Sequence, residues 1–376
     1  MPKYAFLLWR EPLLSLAELE SIFSDVVKVD NFAIIEWERE AIEKYKNSLG
    51  WTIKIALIHA EWLKKNDILP LVIEKIREKT EENKKLRIGI DVFVPSLSSL
   101  VFKAKDAIKS QWFSVRVVQH DNGRTKTATT IHEKLIEQGL ELVIYPDGNW
   151  FTLAETIWIQ DIESYSQRDM DRDRSMVVGM MPPKIAQIMI NLATKGERSI
   201  AIWDPFCGLG TTLIEAFHSG FTDLQWSDLE VKMVEATKKN IEHQKGAERD
   251  VETFVLDAKK IDTHLLTKDT VIVTEWMLGR NFTTNTITQQ AAFQERKDLT
   301  DLYSGFLNSS YKNRHIKNMV FCLPFWNIWK ETLFMPEISS LSRDWSVDNL
   351  CIRGKRYLSH MRPGQCVGRE IIILKR

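Results

Sequence analysis

The sequence predicts an α/β protein in two parts, a C-terminal doubly wound parallel sheet preceded by a smaller α/β domain. Three observations predict it. From position 181 onward, apolar strand segments recur at roughly 25-residue spacing with helical periods between them, the pattern of a parallel sheet wound with helices. The first 159 residues also alternate strand and helix patterns. Between them, 160–180 is polar, charged and without period, which reads as a linker. The expected organisation is therefore 1–159, a linker at 160–180, and 181–376; a chain of 376 residues has room for two to three domains.

In order, the chain opens with a strand at 4–8, a turn through Arg10-Glu11-Pro12 and a helix starting at Ser15. Ser15-Leu16-Ala17-Glu18 has the capping-box form, in which hydroxyl and carboxylate satisfy orphan amides. Strands follow at 32–37, 53–58, 87–94, 115–118 and 141–144, with helices such as 68–79 and 127–138 between them. After the linker, Pro182-Pro183 stands where a helix can begin and leads into the amphipathic run 185–193. Then come strand 199–203, helix 211–218, strand 223–227, helix 231–243 and strands 253–256, 270–274 and 318–323. Two late strands, 352–358 and 369–374, are close enough in sequence to pair antiparallel.

Composition excludes several classes. There are 51 Lys+Arg against 51 Asp+Glu, so the formal net charge is zero, unlike a histone-like nucleic-acid coater, a disordered tail or a polybasic membrane binder. No apolar run approaches the ~18 residues of a membrane span, and the N-terminal apolar stretch is too short for a signal peptide; a cytoplasmic protein is expected. The 4 Cys and 8 His show no metal-ligand spacing and no disulfide framework, so neither zinc nor another metal is expected.

The strongest motif is Asp204-Pro205-Phe206-Cys207-Gly208-Leu209-Gly210-Thr211-Thr212, a GxG loop between a hydrophobic strand and a helix. At a strand end of a doubly wound sheet, such glycines let backbone amides approach a ligand, and the helix start favours an anionic group. A P-loop is excluded, since no GxxxxGK[ST] exists, and a dinucleotide fingerprint is weakened by Leu213 at the third glycine position. Asp228, 18 positions after Gly210 at the next strand end, is placed to hold both hydroxyls of a ribose. Asp257 with Ala258 ends the third strand, a pair suited to an adenine amino group beside a small side chain. Taken singly, either Asp reads as a solvated loop residue or helix cap. Cys207 lacks a His/Asp partner pattern and reads as a packing residue.

With these residues in place, the sequence resembles the class I S-adenosylmethionine-dependent methyltransferases, and Asp204–Thr212 looks like the DPFxGxGTT form of amino-methyltransferases acting on nucleic-acid bases. More specifically it is similar to the THUMP-associated tRNA guanosine N2-methyltransferase family and its bacterial relatives. That resemblance extends to the opening Tyr4-Ala5-Phe6-Leu7-Leu8-Trp9-Arg10-Glu11-Pro12, to Arg168-Asp169, to Gly179-Met180-Met181-Pro182-Pro183, and to Arg362-Pro363-Gly364-Gln365 with Gly368-Arg369-Glu370. It implies a THUMP-like RNA-binding domain at 1–159 and a Rossmann-like methyltransferase domain at 181–376. It implies S-adenosylmethionine as cofactor, held by Pro182, Asp204, Phe206, Gly208, Gly210, Thr211, Asp228, Asp257 and Ala258. It implies tRNA or other structured RNA as partner, and a small activating subunit as a further one.

The family's fourth motif, (D/N)PP(Y/F), is replaced here by Glu275-Trp276-Met277-Leu278 after strand 270–274. An exocyclic base amine is a poor nucleophile, and the usual motif answers with a side-chain acceptor, a carbonyl acceptor and an aromatic face. Glu275 is expected to be the acceptor and Trp276 the stacking face, although Trp276 lacks the rigidity of the proline it replaces. The bland alternative is that Glu275 caps the strand and Trp276 fills core. The run 280–294 reads as a loop able to cover a base, with Arg280 or Phe282 as contacts. Three functions stay open: an RNA amino-methyltransferase, a DNA adenine-N6 or cytosine-N4 methyltransferase, and an RNA-binding relative without turnover.

The zero net charge is a sum of unlike regions. Between 84 and 134 ten basic residues face four acids, and the last 26 residues hold seven against Glu370 alone. Two basic surfaces of that kind suit a salt-sensitive clamp on a folded RNA.

Overall fold

The computed structural model describes residues 1–8, 11–80, 86–109, 115–118, 123–170, 181–244, 252–280, 282–284, 286–348, 350 and 358–376. They form two compact units. One comprises Met1–Pro12, Phe23–Asn47 and Thr52–Asp161; the other comprises Leu13–Ile22, Ser48–Trp51 and Ile162–Arg376. Two short pieces of the N-terminal region thus fold with the second unit.

The first unit is an eight-stranded sheet of β1 (Lys3–Leu8), β2 (Val27–Val29), β3 (Phe32–Glu36), β4 (Thr52–Leu63), β5 (Leu86–Val92), β6 (Val115–Val118), β7 (Gly139–Asp147) and β8 (Trp150–Ile159). Their order is β2-β3-β1-β4-β8-β7-β5-β6, antiparallel except where β5 meets β6 and β7. Helices Lys65–Lys79 and Leu100–Lys109 place Ile68, Val72, Ile76, Val101, Ala104 and Ile108 at helical spacing in one core with Ile88, Ile90, Leu142 and Ile144. The expected helix at 127–138 divides into Thr127–His132 and Leu135–Gln138, because Lys134 between them takes a left-handed conformation.

The second unit holds β9 (Ala201–Asp204), β10 (Leu224–Asp228), β11 (Glu252–Val255), β12 (Thr270–Glu275), β13 (Ile316–Ile328), β14 (Glu331–Phe334), β15 (Ser346–Val347), β16 (Leu358–His360) and β17 (Val367–Lys375). The order is β11-β10-β9-β12-β13-β17-β15, with β14 on β13 and β16 on β17. Strands β9 to β13 run parallel and β17 is antiparallel, so the sheet is doubly wound and its order reverses between β9 and β12. Helices Pro183–Thr194 and Thr211–His218 share an apolar cluster with Val271, Val273, Val320 and Cys322. Helix Gln289–Lys312 shares a second cluster with Trp203, Ile272 and Phe321, whose side chains alternate to the opposite face. A short strand, β16, pairs antiparallel with β17 from Leu358 to His360; the expected strand 352–358 lies, but for its last residue, outside the described residues.

Three expectations change. The first helix spans Pro12–Ile22, not from Ser15: Ser15 is buried inside it, and Glu18, instead of closing a capping box, accepts from the Gly50 amide (2.8 Å) and Asn191 Nδ2 (2.7 Å). Second, the polar run after 160 contains helix Ile162–Met170. Its inward face carries Tyr165 and Arg168 rather than aliphatics, which conceals its period; Arg168 makes paired 3.0 Å bonds to the fully buried Glu215. Third, 289–294 begins the 24-residue helix Gln289–Lys312, whose N-cap Thr288 accepts from the Ala291 amide at 3.1 Å. Among the described residues no helix is long and apolar enough to cross a membrane, and no group of three His, Cys, Asp or Glu is arranged to hold a metal.

Replacing Arg168 with Met leaves Glu215 buried without its cation. Loss of one partner of a buried ion pair costs roughly 3–5 kcal/mol. Arg168→Met is expected to lower unfolding stability by that order, read from urea titrations followed by circular dichroism.

Candidate active site

In a doubly wound sheet the ligand crevice opens at the C-terminal strand ends where the order reverses, here between β9 and β12. β9 ends in Asp204, which is buried. Its Oδ1 accepts from Thr274 Oγ1 on β12 (2.6 Å) and from the Phe206 amide (3.1 Å). Burial pushes this carboxyl up to about 7, against the opposing pull of the Thr274, Phe206 and Thr212 hydrogen bonds. Asp204 therefore ties the two strand ends and shapes the loop; it does not face open space.

The glycine loop is fixed from behind. Cys207 N donates to Ser227 O (3.1 Å), Thr237 Oγ1 to Gly208 O (2.9 Å) and Asn240 Nδ2 to Leu209 O (3.0 Å). Gly210, at φ +82, could not carry a Cβ, which would lie 2.9 Å from Thr237 Cγ2. Gly208, at φ +51, has open space instead: its Cβ would meet only Phe206 O, at 3.9 Å. The Gly208 amide donates to Asp228 Oδ2 at 3.2 Å, and Glu230 N donates to Oδ1 at 3.1 Å. Burial raises the Asp228 carboxyl, and these two amides work against that rise. Open space at Gly208, a half-buried carboxylate beside it and two exposed apolar side chains, Leu229 next to Asp228 and Val255 as its register partner, fit a ribose-bearing heterocycle.

The other expected residues take varied places. Asp257 Oδ1 accepts from Lys259 N at 3.0 Å and caps the turn Ala258–Thr263, with Ala258 buried behind it. Pro182 is the N-cap of Pro183–Thr194, and Thr211 opens Thr211–His218 directly after Gly210. Phe206 is half-buried, 5.4 Å from Phe306 and 6.1 Å from Trp276. Cys207 is buried and its thiol is pushed up by burial, as a packing residue should be.

Glu275 ends β12 in register with Cys322, and its Oε1 accepts from Arg369 Nε on β17, a guanidinium 7% exposed. Trp276 corrects an expectation. It is 1% exposed and stacked on Phe321 (4.1 Å, 7°), with Tyr303 at 4.4 Å and Phe306 at 4.8 Å, so its ring offers no face to a base. Without a proline to stiffen the turn, the indole rotates inward and fills the space under helix Gln289–Lys312. That helix also holds the following segment: Tyr303 Oη donates to Met277 O (2.6 Å), and Arg280 N (3.0 Å) and Nε (2.6 Å) donate to Glu295. Phe282 packs against the same core, so Arg280 and Phe282 are anchored rather than loose.

Sequence reasoning missed Thr237, Asn240, Arg369, Tyr303 and Glu295. Thr237 and Asn240 had a signal: they are polar residues on the inward face that Val234 and Ile241 define in helix Val231–Glu242. The Arg369–Glu275 pair had none, being 94 residues apart.

No family model matches the chain. It is 28% identical over 161 residues to a tRNA (guanine(10)-N2)-dimethyltransferase of Methanocaldococcus jannaschii, covering 43% of this chain and 45% of that one. It is 32% identical over 165 residues to the enzyme of the same name from Methanothermobacter thermautotrophicus, covering 43% and 44%. The matches span less than half the length of these curated relatives. Among solved structures, TrmN from Thermus thermophilus matches with TM-score 0.52 at 14% identity, over 100% of this chain and 99% of that one. A predicted N6-adenine-specific DNA methylase from Listeria monocytogenes matches with TM-score 0.50 at 11% identity, over 98% and 95%. The methyltransferase SMU.472, solved in complex with SAH, matches with TM-score 0.50 at 11% identity, over 98% and 97%. The fold is thus a Rossmann-like methyltransferase fold with a preceding α/β unit.

The buried Asp204 gives the fold a pH signature. Its folded pKa of about 7 lies above its ordinary value of 3.8, so its contribution is full below pH 3.8 and is lost as pH rises through 7. That loss is on the order of 4 kcal/mol. Asp204→Asn, which keeps Oδ1, is expected to flatten that part of the stability profile between pH 4.5 and 7.5, measured by urea midpoints; an unchanged slope would remove Asp204 as its source.

Proposed function

We propose that the chain is an S-adenosylmethionine-dependent methyltransferase acting on an exocyclic base amine of RNA, with guanine N2 of tRNA as the target. The observation that carries this reading is Glu275: a carboxylate at the end of β12, held by Arg369, across the reversal point from the Gly208–Asp228 corner. The curated relatives named for tRNA guanine-N2 dimethylation support the substrate, and the SAH-bound neighbour supports the cofactor.

S-adenosylmethionine, when bound, supplies an electrophilic methyl group. Asp228 would hold its ribose by charge-assisted hydrogen bonds, and the open side of Gly208 would leave room for it at the loop. Glu275 accepts a hydrogen from the base amine, which frees the nitrogen lone pair from the ring, and takes the proton released on transfer. A backbone carbonyl of the segment after Glu275 would be the second acceptor; in that segment the Met277 carbonyl already accepts from Tyr303 Oη. Arg369 aims the Glu275 carboxylate and is a positioning residue.

The first unit, as a THUMP-like domain, grips the RNA through the exposed Lys103, Lys109, Lys126 and Lys134 with the exposed Phe102. The C-terminal basic surface expected from the sequence is described in part, with Arg362 exposed on it. Arg369 pairs with Glu275, Lys375 with Asp348, and Arg376 donates to the carbonyls of Ile316, Tyr311 and Asn313, while Arg353, Lys355 and Arg356 lie outside the described residues.

The likeness to a DNA methylase fold favours a second reading, a DNA amine as substrate. Incubating the full chain with a methyl-labelled cofactor and separate tRNA and DNA pools separates the two: label in tRNA is expected, and label in DNA with silent tRNA overturns the RNA reading. Two variants test the roles. Glu275→Gln, which keeps an oxygen for Arg369 but cannot take the proton, is expected to lower transfer sharply while cofactor affinity by calorimetry stays within about twofold, since the charge-assisted contact resides at Asp228. Asp228→Ala is expected to weaken cofactor binding by roughly tenfold or more.

A further inference from the structure

β13 is the longest strand of the second unit. At Cys322 it lies level with Glu275, and it continues six residues further, to Ile328. At ~3.3 Å per residue this carries it about 20 Å beyond the acceptor, on the same edge of the sheet. There it turns back into β14 through a two-residue connection, Trp329-Lys330, closed by the pairing of Ile328 with Glu331.

Trp329 is unsuited to that position on every internal ground. Its φ is +58 while that of Lys330 is not positive, the pattern of a turn whose first position is ordinarily glycine. Its side chain is 97% exposed, so the indole packs on nothing in the chain. Neither backbone energy nor burial accounts for a tryptophan here; a strained residue kept in place points to use outside the fold. The support beneath it is stiff. β13 pairs with β14 on one side and, at Trp326, with Val367 of β17 on the other. Phe325 meets Phe334 at 5.5 Å, and Thr332 Oγ1 donates to Asn327 Oδ1 at 2.8 Å.

We propose that this hairpin tip is an aromatic contact for the substrate RNA, with the Trp329 indole stacking on an unpaired base several nucleotides away from the target. The inference rests on the RNA reading above. The separation of about 20 Å from Glu275 excludes the target base itself. At the tip Lys330 is followed by Glu331, so the local charge cancels and the contact works by stacking rather than phosphate attraction.

The test uses the full chain and fluorescently labelled unfractionated tRNA, titrated by anisotropy at several salt concentrations. Trp329→Ala is expected to weaken binding roughly tenfold, the loss of one stacked base, with an unchanged salt slope and, in turnover, a raised KM at unchanged kcat. Trp329→Tyr keeps a stacking face and is expected to stay within about twofold. Trp329→Gly is expected to bind as weakly as the alanine variant yet melt at a higher temperature, because glycine accepts the positive φ. Leu265→Ala, which trims an 88% exposed side chain ahead of β12 at the opposite sheet edge, is expected to change nothing. Alanine and glycine variants that bind like the unaltered chain overturn the inference and leave the RNA reading standing. An unaltered chain that fails to bind tRNA overturns both.

Discussion

The hydrogen bond from Thr274 to Asp204 is the constraint on which the candidate site depends. Parallel strands β9 and β12 are neighbours in the sheet, but their connections leave in opposite directions, and the crevice exists because of that divergence. A crevice is useful only if its walls keep their spacing. Asp204 does this with one oxygen, which accepts from β12 and from the start of the glycine loop together. Such a carboxyl is buried in surroundings that favour its neutral form, so the joint is a polar network with every position determined, and its disturbance reaches both walls. From this joint outward, Ser227, Thr237 and Asn240 hold the loop, and the Gly208 amide meets Asp228.

The doubly wound unit was legible because its signals are local and periodic. Helix Thr211–His218 follows from Gly210 and the apolar face behind it, and the strand ends at Asp204 and Asp228 follow from where each apolar run stops, whereas β11 stops at Val255, two residues before the expected Asp257. What escaped were elements whose buried faces are polar or aromatic. Helix Ile162–Met170 buries Tyr165 and Arg168, and Gln289–Lys312 buries Glu295, Tyr303, Ser309 and Ser310 among its apolar residues, so hydropathy shows no clean stripe in either. In the site, single residues were legible and pairs were not. Asp228 can be placed from its spacing, but that Glu275 meets Arg369, or that Glu18 meets Gly50 and Asn191, depends on contacts between distant segments.

The balance of charge shows the same limit. Counting side chains by region suggested two basic surfaces, yet in the second unit Arg369 is buried against Glu275, Lys375 pairs with Asp348 and Arg376 donates to backbone carbonyls of the same unit. In the first unit Lys54 is buried between Asp91 and Glu141, and Arg124 also reaches Asp91. A buried cation is a statement about internal polarity, not about partners, because desolvation forces it to find its counter-charge within the fold. Exposed lysines such as Lys103 and Lys109, on the helix that carries the exposed Phe102, carry no such constraint.

The segment that follows β12, where the resemblance leads one to expect a proline-bearing motif, takes its rigidity from its surroundings. Paired prolines stiffen a backbone from within, by fixing φ at the residues that aim a carbonyl. Trp276 and Met277 have no such restraint, and here the restraint is applied from outside. The indole is locked against Phe321, the Met277 carbonyl is taken by Tyr303, Gly279 adopts φ +88 against Glu295, and Arg280 is bound to Glu295 by two hydrogen bonds. Glu275 is likewise longer by one methylene than aspartate, an added freedom that Arg369 removes. A flexible sequence held at four points can aim an acceptor as narrowly as a stiff one, provided the holding helix is itself packed. Tyr303 and Phe306 of that helix are fully buried, so the aim of the proposed acceptor is set by the core of the second unit.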